Sequence, residues 1–305
     1  MQESAAHRRN LPRTWTNPTP LMEPRFLLLC RSLNANVGRR SPGELRPDTR
    51  LVREDFARYC DEISRMDGVF GEVLAELEQR GLGTNTLVVF IGDNGASQLR
   101  GKGTLYEFGI HVPWLIRWPG VIKPGSASSN LISGEDLAPS LLEAAGLPAP
   151  KSMTGRSFLK MLRNEPFEPR QYVFSERGAH SSALPKNSAS FDLGRCVVGT
   201  RYKLIYNALW QLPYAPVDFS NEPFWKELGE LNAAGKLSPE LSRIFFSPVR
   251  PMFELYDLQD DPAEMTNLAD KPELAAIEGE LKDALQEWMI LERDYVPLPG
   301  GRKPK

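Results

Sequence analysis

Two apolar runs flank a polar, glycine-rich segment within residues 86–118, and this stretch constrains the fold more than any other. Residues 87–91 have the length and the β-branched content of a strand buried on both faces. Gly92-Asp93-Asn94-Gly95 ends that strand abruptly. Asp93 and Asn94 are therefore expected at the carboxyl end of a strand, where open α/β sheets bind ligands. The alternative is an ordinary Asp-Asn-Gly turn.

The polar segment offers ligands for a hard cation and for an anion. The Asp93 carboxylate and the Asn94 amide oxygen suit a hard divalent cation, whereas zinc would call for histidine. Lys102 follows nine positions after Asp93, between Gly101 and Gly103. A compact ammonium group on a backbone that permits close approach is suited to binding an anion.

Three consecutive motifs here resemble the sulfatases of the alkaline-phosphatase-like superfamily. In that family, a strand ending in Asp-Asn-Gly precedes a Lys-Gly-Thr-Leu-Tyr-Glu-x-Gly-x-Arg-Val-Pro segment and a strand closing in Arg-Trp-Pro-Gly. This chain has the three motifs at residues 93–95, 102–113 and 117–120. One departure is His111, which stands where the family usually has arginine.

The resemblance implies a role for each polar residue of the segment. Asp93 and Asn94 would ligate a calcium ion, and Lys102 would be a catalytic residue that also binds the sulfate group. The implied activity is sulfuric ester hydrolysis on sulfated carbohydrates, of the glycosaminoglycan or N-sulfoglucosamine type. His180 lies in a loop after a strand, where some glycan sulfatases carry a substrate-contacting histidine. A solvated loop residue is the alternative for His180.

The family's nucleophile is a formylglycine made from the first residue of the motif Cys or Ser, any residue, Pro or Ala, any residue, Arg. Cys30 does not begin this motif, because residues 31–34 are Arg-Ser-Leu-Asn. We expect the formylglycine motif and the family's paired Asp ligands upstream of this chain. The chain is thus expected to be the C-terminal portion of a sulfatase, with a weak or incomplete calcium site.

Other functions remain open at this stage. A truncated gene product, a chain with a wrongly assigned start and a non-catalytic glycan-binding protein derived from a sulfatase all fit a missing nucleophile. A phosphatase or phosphodiesterase of the same superfamily is a weaker alternative. A multi-zinc phosphatase site is not expected, since the sequence has only His7, His111 and His180.

Composition excludes two classes of partner. With 37 Lys+Arg against 39 Asp+Glu, no basic field attracts nucleic acid. No apolar run reaches the length that crosses a membrane.

The three cysteines, Cys30, Cys60 and Cys196, are too few and too scattered for a disulfide framework. The oligomeric state stays open.

The compartment also stays open. Residues 1–10 are charged and lack an apolar core, so we expect no signal peptide in this chain. The lack of an apolar run of membrane-spanning length predicts a soluble protein. The resemblance implies a family that is usually exported.

A long amphipathic helix is predicted from Asp48 or Thr49 to Gly81. Its apolar positions recur at spacings of three and four: Phe56, Tyr59, Ile63, Met66, Phe70, Val73 and Leu77. Three acidic residues are assigned to its solvated face: Asp61, Glu62 and Asp67. This helix followed by a strand is the half-repeat from which parallel sheets are built.

The predicted fold class is α/β, a partial sulfatase-like sheet with flanking helices plus a small C-terminal α+β subdomain. We expect an irregular segment at 1–46, the C-terminal part of the catalytic domain at 47–168, and the subdomain at 169–305. A helix is predicted from Asp136, with Pro139 in its first turn and Gly146 beyond its end. Later features complete the subdomain: short strands at 172–175, 196–199 and 202–206, family-like segments at 253–258 and 260–268, and a terminal helix from Pro272 with one apolar stripe.

Overall fold

The computed structural model describes residues 45–180, 188–189 and 191–296. The predicted irregular segment up to residue 44, with Cys30 and His7, lies outside the described residues. The helices are α1 (Arg50–Gln79), α2 (Glu107–Ile110), α3 (Leu137–Ala144), α4 (Leu159–Leu162), α5 (Pro223–Ala233), α6 (Pro239–Phe246) and α7 (Ala275–Leu291). The strands are β1 (Val88–Ile91), β2 (Trp114–Arg117), β3 (Val173–Ala179), β4 (Phe191–Val198), β5 (Tyr202–Asn207) and β6 (Phe253–Asp257). Within these ranges, no helix is long and apolar enough to cross a bilayer.

Helix α1 begins and ends where the sequence predicts. The Thr49 hydroxyl caps it by accepting a hydrogen bond from the backbone N–H three residues on, which satisfies one of the free donors of the first turn. Gly81 follows the last turn with a φ of +69°, a conformation that glycine adopts without steric cost. The predicted apolar face is only partly covered, since Met66 and Val73 are 41% and 52% exposed.

The acidic residues of α1 do not all lie on the solvated face. Asp61 and Glu62 are exposed, as predicted, but Asp67 is partly buried. Its Oδ1 atom is enclosed and has no hydrogen-bond partner among the described residues. The reason is helical geometry: Asp67 falls four residues after Ile63 and three before Phe70, so it shares the stripe of those two side chains.

Strands β1 and β2 form an antiparallel pair, with Val88 opposite Arg117 and Ile91 opposite Trp114. This finding corrects two expectations. The chain returns from β1 through a loop rather than a crossover helix, so the described strands pair antiparallel and not parallel. Strand β1 is not buried on both faces either, because Ile91 is 39% exposed in this two-stranded sheet.

The predicted C-terminal strands form a four-stranded antiparallel sheet in the order β3-β4-β5-β6. Side chains alternate between its two faces. One face carries Val197, Leu204 and Leu255, which pack against Leu281 and Leu285 of α7. The apolar stripe that the sequence predicts on the terminal helix is therefore part of the core.

The opposite face of this sheet meets the glycine-rich segment. Cys196, Ile205 and Tyr256 form a buried cluster there with Leu105. The same face also presents Lys203, which is wholly buried and charged. The loop between β1 and β2 thus lies on the sheet of the C-terminal half.

A third cluster packs the start of α1 against helices α5 and α6. These two helices were not predicted from the sequence. Val52 and Leu99 pack there with Phe219, Leu228 and Phe245. Both this cluster and the one at Leu105 contain residues from either side of the domain boundary expected between residues 168 and 169. Helix α3 follows a short turn of 3-10 helix at Gly134–Asp136.

Candidate functional site

The loop between β1 and β2 folds tightly back on itself. The backbone N–H of Gly95 donates to the carbonyl oxygen of Gly109 at 2.9 Å and closes the base of the loop. The N–H of Lys102 donates to the carbonyl oxygen of Ala96 at 2.8 Å. These bonds hold the backbone of Lys102 in one place.

Both neighbours of Lys102 have to be glycine. A Cβ at Gly101 would overlap the carbonyl oxygen of Ala96. Gly103 has a φ of +80°, and a Cβ there would overlap the side chain of Val217. The loop therefore brings its backbone into direct contact with the chain around Val217, and Lys102 projects from the point of contact.

Arg100 anchors the loop from below. Its side chain is 2% exposed, and its guanidinium lies 3.7 Å over the ring of Tyr106. It donates hydrogen bonds to the carbonyl oxygens of Ala263 and Glu264 and to the hydroxyl of Tyr256. The backbone of Arg100 has a φ of +57°, a left-handed conformation that costs a non-glycine residue about 1–3 kcal/mol. The buried guanidinium contacts hold it in that conformation.

Glu254 is the acceptor at the centre of this buried floor. Its carboxylate accepts hydrogen bonds from Tyr106 at 2.9 Å, from Tyr256 at 2.5 Å and from Asn207 at 2.6 Å. Burial and the negative charge of Glu254 raise the pKa of Tyr256 well above its ordinary value. The hydrogen bonds satisfy both oxygens of the Glu254 carboxylate, whereas Nε of Arg100 has no hydrogen-bond partner among the described residues. The hydrogen bonds that are made restrict the motion of the buried side chains. The loop is therefore held in a fixed position on the sheet.

A second charged cluster fixes the far end of the loop. Lys203 lies 3.0 Å from Glu107 and 3.0 Å from Glu264. The Glu107 carboxylate also lies 2.9 Å from Nδ1 of His111. Burial alone would raise the pKa of Glu107, but the hydrogen bond with His111 and the charge of Lys203 lower it to about 2.

The exposed end of the loop carries an ion pair that the sequence reading did not predict. The Nζ atom of Lys102 lies 2.8 Å from Oδ2 of Asp218, and about a third of each side chain is exposed. The hydrogen bond to Asp218 raises the pKa of Lys102, and the nearby charge of Asp93 adds to the effect. Lys102 is therefore a charged ammonium at neutral pH, reachable from solvent.

Asp93 and Asn94 follow the end of β1, as predicted, and both are exposed. Asp93 is near enough for its charge to act on Lys102. The Asn94 N–H donates to Oδ1 of Asp93, and its side-chain Nδ2 donates to the carbonyl oxygen of Gly95. In the described part of the chain, Oδ2 of Asp93 and Oδ1 of Asn94 have no hydrogen-bond partner. These two oxygens are free to bind a ligand.

Asp93 and Asn94 offer the type of ligand that calcium binds, but too few of them. A carboxylate and an amide oxygen are donors that calcium accepts, yet the ion takes about six to eight of them. Residues 45–180, 188–189 and 191–296 contain no group of three or more His, Cys, Asp or Glu side chains arranged to hold a metal. Asp93 and Asn94 could thus supply two ligands of a larger set.

His180 is exposed just beyond the end of β3. Among the described residues it makes no hydrogen bond or ion pair with Lys102, Asp93 or Asn94, so its contact with a sugar stays a prediction. Arg177 of the same strand does reach the loop. A Cβ on Gly103 would lie 3.7 Å from its Nη2 atom.

Comparison with known proteins gives matches along most of the chain. The family model named Sulfatase matches residues 6–147, and the model for the C-terminal region of N-sulphoglucosamine sulphohydrolase matches residues 95–231. Both matches contain Lys102, and the first also contains Asp93 and Asn94. The chain is a member of the sulfatase family.

Two relatives illustrate the extent of the similarity. An ulvan-active sulfatase from Formosa agariphila is 34% identical over 255 residues, which cover 83% of this chain and 41% of the relative. The N-sulphoglucosamine sulphohydrolase of Homo sapiens is 31% identical over 268 residues, which cover 84% of this chain and 52% of the relative. This sulfatase-family chain thus spans about half the length of these curated relatives.

Solved structures show the same fold. A 2-O GAG sulfatase superimposes with a TM-score of 0.59 at 24% identity, covering 79% of this chain and 44% of that chain. The mixed α/β arrangement is therefore part of the alkaline-phosphatase-like fold of sulfatases. At this level of identity the similarity shows the fold alone.

The spacing of the nucleophile motif does occur once near the start of the sequence, in Ser4-Ala5-Ala6-His7-Arg8. The match to the sulfatase family model begins only at residue 6, so Ser4 lies outside it. Three fixed positions make a weak pattern that arises easily by chance. These five residues lie outside the described residues.

Proposed function

We propose that this chain forms one wall of a sulfatase active site that acts on sulfated carbohydrates. Lys102 binds the sulfate group, Asp93 and Asn94 supply two oxygen ligands to a calcium ion, and His180 contacts the sugar. The observation that carries the proposal is the partly exposed Lys102 ammonium on a hydrogen-bonded loop that also carries two oxygen atoms, Oδ2 of Asp93 and Oδ1 of Asn94, without a hydrogen-bond partner among the described residues.

The residues of the site have distinct tasks in this proposal. Lys102 donates charge-assisted hydrogen bonds to sulfate oxygens, which are stronger than neutral ones. A bound divalent cation would offset the negative charge of the sulfate. The buried floor around Arg100 and Glu254 keeps the ammonium in place, so little conformational entropy is lost on binding.

Sulfated carbohydrate is supported as the substrate class by the relatives. One is named as ulvan-active, and another is an N-sulphoglucosamine sulphohydrolase. These activities belong to proteins about twice as long as the region that this chain matches. The activity of the whole protein therefore stays part of the proposal.

A binding experiment tests the sulfate contact directly. The purified chain is titrated with glucosamine 2-N-sulfate and with unsulfated glucosamine, using wild type, Lys102→Ala and Lys123→Ala. Lys123 is an exposed lysine in a turn and serves as the matched control. We expect Lys102→Ala to weaken binding of the sulfated sugar about tenfold or more, since it removes a hydrogen bond to a charged group. Equal binding by wild type and Lys102→Ala, or equal binding of both sugars, would contradict the proposal.

A non-catalytic glycan-binding role is the second candidate, and it is favoured because the described residues contain no cluster of three or more His, Cys, Asp or Glu side chains that could hold a metal. Turnover of an aryl sulfate separates the two functions. Binding of sulfated sugar without turnover supports the binding role. Turnover that Lys102→Ala abolishes supports the enzyme, and faster turnover of an aryl phosphate would indicate a phosphatase of the same superfamily.

A further inference from the structure

Asp218 is held as firmly as the lysine that it faces. The residue before it, Val217, lies against the backbone of Gly103. The residue after it, Phe219, is 4% exposed in the core cluster of α5 and α6. Because both neighbours are fixed by packing, the Asp218 carboxylate has a defined position beside Lys102.

The carboxylate has spare hydrogen-bonding capacity. Its Oδ2 atom accepts from Lys102 at 2.8 Å. Its Oδ1 atom has no hydrogen-bond partner among the residues that the structure describes, and a third of the side chain is exposed. An ionised carboxylate is an acceptor only, so a ligand has to present a donor to it.

Lys102 and Asp218 are in direct contact, so together they can face only groups that are themselves adjacent on a ligand. A sulfate and a hydroxyl on neighbouring carbons of a sugar ring meet this requirement. The sulfate would bind the ammonium, and the hydroxyl would donate to the carboxylate.

We propose that Asp218 is a specificity-determining residue that accepts a hydrogen bond from the hydroxyl next to the sulfate of the sugar. The inference rests on the proposed function, because it requires Lys102 to bind the sulfate. It adds a discrimination that Lys102 alone does not give. An ammonium attracts any sulfate ester, whereas the pair selects one with a neighbouring hydroxyl.

Electrostatics further restricts which sulfated sugars can bind at Lys102 and Asp218. Asp218 lies 2.8 Å from Lys102, so a second anionic group beside the sulfate would meet its carboxylate. Like charges brought together in a binding site are a common source of selectivity against wrong ligands. The pair therefore favours a neutral hydroxyl over a carboxylate at the neighbouring carbon.

The test compares two probes that differ in one hydroxyl. The methyl glycoside of glucosamine 2-N-sulfate, whose carbon 1 carries no free hydroxyl, has a hydroxyl on carbon 3 beside the sulfated position, and its 3-deoxy analogue has none there. Wild type, Asp218→Ala, Lys102→Ala and Asp283→Ala are titrated with both. Asp283 is an exposed aspartate on α7, which packs on the face of the sheet away from the loop. Circular dichroism confirms that each variant is folded.

We expect wild type and Asp283→Ala to bind the parent sugar about tenfold more tightly than the 3-deoxy analogue. In Asp218→Ala that preference should vanish, with the loss falling on the parent sugar alone. If Asp218→Ala weakens both probes equally, the carboxylate only orients Lys102 and the inference is wrong, while the proposed function stands. If Lys102→Ala leaves the binding of both probes unchanged, the proposed function fails and takes this inference with it.

Discussion

The Nζ atom of Lys203 lies 3.0 Å from Oε1 of Glu264, and neither side chain reaches solvent. Glu107 shares the same ammonium, also at 3.0 Å. The three charges lie between the four-stranded sheet and the loop that carries Lys102. Their pairing therefore determines how well the loop is held.

Removing Lys203 should be strongly destabilising. A Lys203→Met substitution leaves the buried Glu264 carboxylate without its counter-ion, and breaking a buried pair from one side costs about 3–5 kcal/mol. Urea unfolding measures the loss. The double variant Lys203→Met with Glu264→Gln should recover part of it, because the more deeply buried of the two carboxylates that lose the ammonium is then uncharged. A loss below about 1 kcal/mol in the single variant would show that the pair is not buried in solution.

Gly103→Ala should destabilise the loop more than Gly120→Ala. The two glycines have φ of +80° and +78°, so the left-handed backbone costs alanine a similar amount, about 1–2 kcal/mol, at each. Only at Gly103 does the new methyl group meet Val217, whereas nothing lies within 4 Å of a Cβ at Gly120. The overlap should add about 1–3 kcal/mol.

The free energies of unfolding of Gly103→Ala and Gly120→Ala, measured in urea, differ by the cost of the overlap with Val217. Adding Val217→Ala to the Gly103→Ala variant should restore part of the stability. Equal losses at Gly103 and Gly120 would mean that the loop and the chain around Val217 are not in contact.

The His111 and Glu107 pair predicts a stability maximum in mildly acidic solution. The hydrogen bond with Glu107 raises the pKa of His111 above its ordinary value of 6.5, so its contribution is complete below that pH and is lost as pH rises through the higher folded value. The pKa of Glu107 is lowered from 4.5 to about 2, so its contribution is present above 4.5 and is lost as pH falls towards 2.

The variant His111→Arg tests the alkaline side. Arginine stays charged, so the variant should lose no stability between pH 5.5 and pH 8 at this pair, while wild type loses less than about 1 kcal/mol because His111 is exposed. His111→Gln is the uncharged control and should be equally stable at both pH values in this respect. Parallel pH profiles for wild type and His111→Gln would exclude a role for the histidine charge.

Calcium should bind weakly and leave folding almost unchanged. With two ligands from Asp93 and Asn94, a dissociation constant near 1 mM is expected, so 1 mM calcium adds only about 0.4 kcal/mol of stability. Thermal melts with and without calcium measure this. A rise of many degrees that Asp93→Ala abolishes would mean that further carboxylates, such as Asp67 of α1, complete the site.

Local patterns in the sequence were sufficient to predict the elements that depend on local rules. The cap at Thr49 and the end at Gly81 follow from side-chain hydrogen bonding and from backbone freedom, both of which are properties of neighbouring residues. The motif at Asp93 and Asn94 was placed correctly at a strand end for the same reason.

Contacts between residues far apart in the chain could not be predicted from the sequence. The reversal of β1 into an antiparallel pair depends on how residues 92–113 fold, which no periodicity reveals. Arg100 and Asp218 carry no local signal, because their partners lie far away in the chain and only the folded sheet brings them together. Asp67 was misassigned because charge outweighed helical position in the prediction.

The anchor of Arg100 has a consequence for synthesis of the chain. The carbonyl oxygen that it binds belongs to Glu264, 164 residues later. At about 5–20 residues per second, a ribosome needs roughly 10–30 s to make that interval. During this time the segment with Lys102 has been synthesised, but the residues around Glu254 and Glu264 that hold it have not. The segment is therefore accessible to chaperones and proteases before it can fold and bind a ligand.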